Sequence, residues 1–190
     1  MLLIAALLVS IRSLVFLFEK KNRFLDKQSK YVFLIGYLII PIIIFTKIPF
    51  ISNSYHPEII IAILILIWTN DTFAYLVGIT MGKTKLFERI SPKKTIEGFS
   101  GGLVFAIIAG VLLAQFYLQE SIIRWIIIAL LVTTFGTLGD LIESKFKRLA
   151  GVKDSGNIMP GHGGFLDRLD SIIFVAPFVY LFYQIIYYVS

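Results

Sequence analysis

Long apolar stretches alternate along this chain with short segments that gather nearly all of its charge. Tyr31–Thr46, Gly98–Gln119, Trp125–Gly139 and Ser171–Ser190 carry no charged residue. A helix that crosses a bilayer needs roughly 20 mostly apolar residues. The pattern therefore predicts six helices, at about 2–18, 31–48, 58–79, 98–118, 122–143 and 169–189. Lys20-Lys21-Asn22 closes the first, Ser91-Pro92 precedes the fourth, and Pro160-Gly161-His162-Gly163-Gly164 precedes the last. Pro41 and Pro177 fall inside predicted helices, where proline removes a hydrogen bond and introduces a kink. The expected fold is all-α: a polytopic integral membrane protein with about six transmembrane helices, organised as one membrane domain over 1–190.

Composition supports that class and closes others. Of 190 residues, 57% are hydrophobic and 16% charged, with a mean hydropathy of +0.85. Soluble domains carry about 25% charge, so a soluble, disordered or secreted disulfide-stapled protein is excluded. There is no cysteine, which removes disulfides, thiolate metal sites and a cysteine nucleophile. The first helix has no basic residue ahead of its apolar run and no small-residue cleavage site, so it reads as a retained helix rather than a signal peptide.

The net charge of +6 is a matter of placement. Segments 19–30, 80–97 and 144–168 hold 15 of the 18 Lys and Arg residues, whereas the intervening loops hold only Lys47 and Arg124. Basic loops prefer the cytoplasmic side. The expectation is a multi-pass protein of the cell (inner) membrane with these three segments in the cytoplasm and both termini outside. Trp68, Trp125 and the tyrosines near helix ends are read as interfacial anchors.

Carboxylates inside apolar helices are costly and usually functional or paired. Asp71 is one. Asp140, Glu143, Ser144 and Lys147 are spaced i, i+3, i+4, i+7 and share one helix face, which Thr133 and Thr137 extend. Asp167 and Asp170 share a face at the start of the last helix. Two such faces at the cytoplasmic helix ends suit a divalent cation held by hard oxygen ligands, with Asp140, Glu143, Asp167 and Asp170 as candidate ligands. Between them lie Lys147, Arg148 and Lys153 and a glycine turn, Gly161-His162-Gly163-Gly164, whose backbone N–H groups can form an anion nest. Carboxylates, cations and a glycine turn together fit polyphosphate handling. The Walker spacing is absent.

The segment Ser144 to Asp170 carries Ser-x-apolar-Lys-Arg, then Lys153-Asp154, then His162-Gly163-Gly164-apolar-x-Asp167-Arg168-apolar-Asp170. It resembles the signature of the phosphatidate cytidylyltransferases, also called CDP-diacylglycerol synthases. Trp68-x-x-Asp71-Thr72-x-Ala74-Tyr75-x-x-Gly78 and Ser91-Pro92-Lys93-Lys94-Thr95-x-Glu97-Gly98 are similar to the same family. The resemblance covers about 65–180, a catalytic core behind the amino-terminal helices of 1–57. Met159 stands where the family usually has Leu, Ile or Phe, a volume-conserving change. Members usually carry more amino-terminal helices, so the chain is expected to be a compact member or to lack part of the amino terminus.

The resemblance implies transfer of the cytidylyl group of CTP to phosphatidate, giving CDP-diacylglycerol and pyrophosphate for phospholipid biosynthesis. It implies dependence on Mg²⁺, with a monovalent cation such as K⁺ assisting some members, and it is compatible with a homodimer. Asp140, Lys147, Arg148, Lys153, Asp154, His162, Asp167 and Arg168 are the implied catalytic residues. Asp71, Ser91, Lys93, Lys94, Thr95, Ser144, Gly161, Gly163 and Gly164 are the implied substrate-binding ones. A phosphate monoester is already anionic near neutral pH, so no activated hydroxyl or thiol nucleophile is required, and none is visible. What the reaction needs is relief of repulsion between two polyanions and in-line positioning. Two other readings remain at this level. One is a CTP-dependent enzyme on another lipid, such as an ether-lipid cytidylyltransferase or a polyprenol kinase. The other, more distant, is a membrane transporter, which predicts mid-bilayer polar faces and repeated topology.

Overall fold

The computed structural model describes residues 1–19, 31–50, 54–152, 155, 156, 164 and 166–189. These residues are mainly helical: α1 (Leu2–Phe18), α2 (Tyr31–Phe45), α3 (Pro57–Met81), α4 (Ile96–Leu118), α5 (Ile122–Leu149) and α6 (Asp170–Val189). Helices α3 to α6 are long and apolar enough to cross a membrane, whereas α1 and α2 are shorter. The chain is an all-α membrane protein. Among the described residues there is also one small hairpin, β1 (Lys85–Phe87) paired antiparallel with β2 (Ser91–Thr95), which the apolar pattern did not foreshadow.

The chain forms two compact units. Ile48–Thr137 makes one, and Met1–Lys47 with Leu138–Ser190 makes the other. Helix α5 passes from the first of these into the second.

In the 48–137 unit, Gly98, Gly102, Ala106, Gly110 and Ala114 recur every fourth residue along α4, and all are buried. Without side chains to hold them apart, membrane helices approach until their backbones touch. A Cβ on Gly102 would lie 2.8 Å from Asn70 O, and one on Gly98 would lie 2.6 Å from Ala74 O, both on α3. Farther along, Gly110 meets the Trp125 carbonyl of α5. Trp125 is fully buried and donates its indole N–H to Glu120 Oε2 at 3.1 Å. It therefore locks the α4–α5 turn, whereas Trp68 is exposed but stands near the middle of α3 and not at a helix end.

The hairpin is tied to the start of α4. Thr95 Oγ1 caps the helix by accepting the Gly98 N–H at 3.1 Å, and Ile96 N–H donates to Thr84 O at 2.9 Å. The Glu97 carboxylate accepts the N–H groups of Lys83 and Thr84 at 3.1 Å. These bonds replace the alternation that a free hairpin would need.

The other unit is packed with rings. Phe16 of α1 stacks on Phe146 of α5 at 5.0 Å, Phe33 meets Phe146 edge-on at 5.3 Å, and Tyr37 lies 5.9 Å from Phe146 and 6.0 Å from Phe174. Each such pair adds about 0.5–1.5 kcal/mol beyond area burial. Pro41 cannot donate to Tyr37 O. A π-helical stretch at Leu34–Ile39 precedes it, with Ile40 N–H bonded to Ile35 O, so the helix widens ahead of the proline ring instead of breaking.

Helix α5 runs past the expected end at 143 to Leu149. Glu, Lys and Arg are good helix formers, and Lys147 and Arg148 suit the carboxyl-terminal dipole. Gly151 at φ 72° stops the helix. Val152 N–H bonds to Lys147 O and Gly151 N–H to Arg148 O, the paired closure that a left-handed glycine permits.

Candidate active site at the start of α6 and the end of α5

The extra turn of α5 extends the acidic face that the spacing predicted. Gly139 makes the approach of α6 feasible: a Cβ there would lie 2.7 Å from both Asp170 O and Phe174 Cβ. With the two backbones in contact, carboxylate oxygens of Asp140, Glu143 and Asp170 all lie within 4.8 Å of one another. Tyr37, buried in α2, donates its hydroxyl to Gly139 O at 3.2 Å and so steadies the backbone beside Asp140. Ser144 Oγ donates to Asp140 Oδ1 at 3.2 Å, and Ser171 N–H donates to Asp170 Oδ1 at 2.7 Å.

Lys147 bridges two carboxylates, with Nζ 2.5 Å from Glu143 Oε2 and 2.5 Å from Asp167 Oδ1. Glu143 is 2% exposed, and its Oε1 has no hydrogen-bond partner among the described residues. An unpartnered carboxylate oxygen in a buried site is costly. A cation beside it would remove that cost. Three carboxylates form a hard, all-oxygen donor set, which fits Mg²⁺.

Asp167 is engaged differently. Its Oδ2 accepts Ser155 N–H at 2.9 Å, Ser155 Oγ–H at 2.8 Å and Gly164 N–H at 2.7 Å, while Oδ1 takes Lys147. Burial pushes this carboxyl's pKa up. The Lys147 ammonium and the Ser155 and Gly164 N–H groups outweigh that and hold it well below the ordinary carboxylate range. Asp167 thus ties the loop to α5. A Cβ on Gly164 would meet Gly156 N at 2.6 Å, so glycine is needed where the two loop strands cross.

Beside Lys147 opens a cleft of about 260 Å³, with Phe33, Leu34, Tyr37 and Leu38 of α2 on one side and Glu143 and Lys147 on the other. Its lining is almost wholly apolar, as a hydrocarbon chain requires.

Among the residues singled out from sequence, Asp140, Glu143, Ser144, Lys147, Gly164, Asp167 and Asp170 come together here. Arg148 is exposed and donates to Val152 O at 3.5 Å. Lys153, Asp154, Gly161, His162 and Gly163 lie outside the described residues, as does the Arg168 side chain. Asp71, Ser91, Lys93, Lys94 and Thr95 belong to the 48–137 unit. There Asp71 accepts the Asn70 side-chain N–H at 3.2 Å, and Thr95 is a buried helix cap. Tyr37, Gly139 and Lys145 were not singled out. An aromatic in an apolar run, a glycine among several, and one more lysine in a basic segment carry no distinguishing spacing.

Three carboxylates and a lysine thus gather where two apolar helices meet. The model of the Cytidylyltransferase family matches residues 1–186, and the chain belongs to that family. It is 52% identical over 119 residues to a phosphatidate cytidylyltransferase of Bacillus subtilis (strain 168), covering 61% of this chain and 44% of that one. It is 45% identical over 161 residues to the phosphatidate cytidylyltransferase of Staphylococcus aureus (strain COL), covering 83% and 60%. The chain spans about half the length of the curated relatives it matches.

Proposed function

We propose that the protein transfers the cytidylyl group of CTP to phosphatidate. A phosphatidate oxygen bonds to the α-phosphorus of CTP, the bond from that phosphorus to the bridging oxygen breaks, and pyrophosphate leaves with the electron pair. The observation that carries the reading is the trio Asp140, Glu143 and Asp170 with its unpartnered Glu143 oxygen, in a chain of this family.

Asp140, Glu143 and Asp170 would hold Mg²⁺, whose role is to offset charge on the phosphates and favour in-line attack. Lys147, drawn between Glu143 and Asp167, places a cation at the cleft edge where an anionic headgroup would arrive. Asp167 keeps that lysine aimed and holds the loop closed against it. The apolar wall from α2 receives the first part of an acyl chain. Arg148, Lys153, Asp154, His162, Arg168, Asp71, Ser91, Lys93, Lys94, Thr95, Gly161 and Gly163 enter the proposal through the motif match alone, as does assistance by K⁺.

Six crossings, with this site in the cytoplasm and both termini outside, complete the proposal for a bacterial inner membrane. Helix α1, with 17 residues, spans about 26 Å, short of the usual core but tolerable by local thinning. Assembly as a homodimer is part of the same reading.

The test is purified protein in mixed micelles with labelled CTP, phosphatidate and Mg²⁺. CDP-diacylglycerol should form, and Asp140→Asn and Asp170→Asn should lower turnover about 10³-fold while circular dichroism is unchanged. Full activity in both variants overturns the ion assignment. Absence of product from the wild type, or faster turnover of a polyprenyl or dialkyl phosphate, overturns the choice of reaction or substrate.

A further inference from the structure

Helix α1 ends at Phe18, where Glu19 N–H bonds to Val15 O and Phe16 O, and beyond it the carbonyls of the last turn run out of helical N–H donors. Lys145 of α5 supplies them. Its Nζ donates to Phe16 O, to Leu17 O at 3.5 Å and to Glu19 O at 3.0 Å, and it lies 4.2 Å above the Phe16 ring centroid. Three acceptors call for three N–H donors, which the protonated amine provides, and a cation at a helix carboxyl terminus is electrostatically favoured. The residue is 2% exposed. A lysine is almost never buried that deeply unless it is paired.

Lys145 takes no part in the site itself. Successive helical residues differ by about 100° around the axis, so Lys145 lies on the back of α5, opposite the face formed by Asp140, Glu143, Ser144 and Lys147. We propose that Lys145 is a positioning residue that pins the back of α5 to the end of α1 and thereby sets the rotation at which the acidic face meets Asp170. A helix turning by about 20° moves a side-chain tip, at a radius of about 5–6 Å, by about 2 Å. That shift would disperse oxygens now within 4.8 Å of one another. The ring stack of Phe16 on Phe146 is permissive of sliding, whereas three hydrogen bonds to fixed carbonyls are not. The inference gives the first helix a task in the chemistry. It rests on the ion-site reading above.

Two measurements separate the inference from that reading. The chain has no cysteine, so spin labels can be placed cleanly at Arg12→Cys and Ala150→Cys, on α1 and just beyond α5. The distance distribution should be narrow in the parent and should broaden or shift when Lys145→Met is added. Separately, Mn²⁺ binding followed by its electron paramagnetic resonance signal, without substrate, should weaken about tenfold in Lys145→Met at unchanged helicity. An unchanged distance distribution, or unchanged Mn²⁺ affinity beside a wild type that binds, overturns the positioning role. A wild type that binds no Mn²⁺ overturns the ion site and with it the ion-positioning claim, while the labels still report whether Lys145 pins the helices. Should Lys145→Met fail to fold, Lys145→Gln is measured in the same way. If neither folds, Lys145 is a folding residue and the proposal fails.

Discussion

In the 48–137 unit α4 presses its glycines onto α3 until backbone meets backbone, with Asn70 buried in the seam. In the other unit α5 carries Asp140, Glu143, Lys145 and Lys147 between positions 140 and 147, beside a ring cluster of Phe16, Phe33, Tyr37 and Phe146. The first arrangement draws its stability from close van der Waals contact, which needs no partner beyond the two helices. The second keeps like-charged carboxylates near one another, which costs stability in the absence of a cation. Substitutions along the α3–α4 seam should therefore act on stability, and those in the carboxylate trio on chemistry.

The largest test of that contrast pairs the two regions. Asp140→Asn should lose about 10³-fold in turnover with a Tm equal to or slightly above the wild type, since it removes one of the mutually repelling charges. Gly102→Leu should do the reverse. No shift of a flexible side chain can make room for it against Asn70 O, so about 3 kcal/mol or more of stability should be lost, read as a lower Tm in detergent. If Asp140→Asn melts early, or Gly102→Leu melts normally, the division fails.

A smaller effect is expected at the loop tie. Asp167→Asn keeps the shape but loses the charge-assisted bonds to Lys147 and the Ser155 and Gly164 N–H groups, at a cost of about 2 kcal/mol. The pH dependence has a definite sign. The folded carboxyl titrates below its ordinary value, so its stabilisation is complete above that value and disappears as pH falls through the folded pKa. Amide exchange at Ser155 and Gly164 should stay slow down through the ordinary carboxylate range in the wild type and be fast throughout in Asp167→Asn. Protection that vanishes near neutral pH would contradict the tie.

Next comes Glu97→Gln at the start of α4, which weakens the bonds from the Lys83 and Thr84 N–H groups that hold the hairpin. Protease susceptibility at 83–90 should rise with little change in Tm. Tyr37→Phe is the smallest, removing one hydroxyl from Gly139 O for about 1 kcal/mol. Its Tm should fall slightly and its Mg²⁺ requirement should rise. A variant indistinguishable from the wild type in both would leave Gly139 needing no support from α2.

Helix positions were legible because apolar runs of membrane length permit no other structure: a backbone in lipid must satisfy its own hydrogen bonds. The expected helix 98–118 is observed at Ile96–Leu118, and 169–189 at Asp170–Val189. The end of α5 was misplaced because charge marks where a helix leaves the bilayer, not where its hydrogen bonding stops. The hairpin stayed hidden because Ser-Pro-Lys-Lys-Thr has no alternation, and it is held by Glu97 from the neighbouring helix. Trp125 was misread since burial of an indole depends on which helix stands opposite.

Spacing alone placed Asp140, Glu143, Ser144 and Lys147 on one face, because helical periodicity is a property of the chain. Which of four carboxylates would cluster was a matter of packing. Gly139 admits the α6 backbone and draws Asp170 to Asp140 and Glu143, while Asp167, three residues earlier, is claimed by Lys147 and the loop amides. Local sequence determines the face a side chain occupies, because that follows from 3.6 residues per turn. Only the tertiary structure decides what stands across from it, because that depends on contacts between segments far apart in the chain.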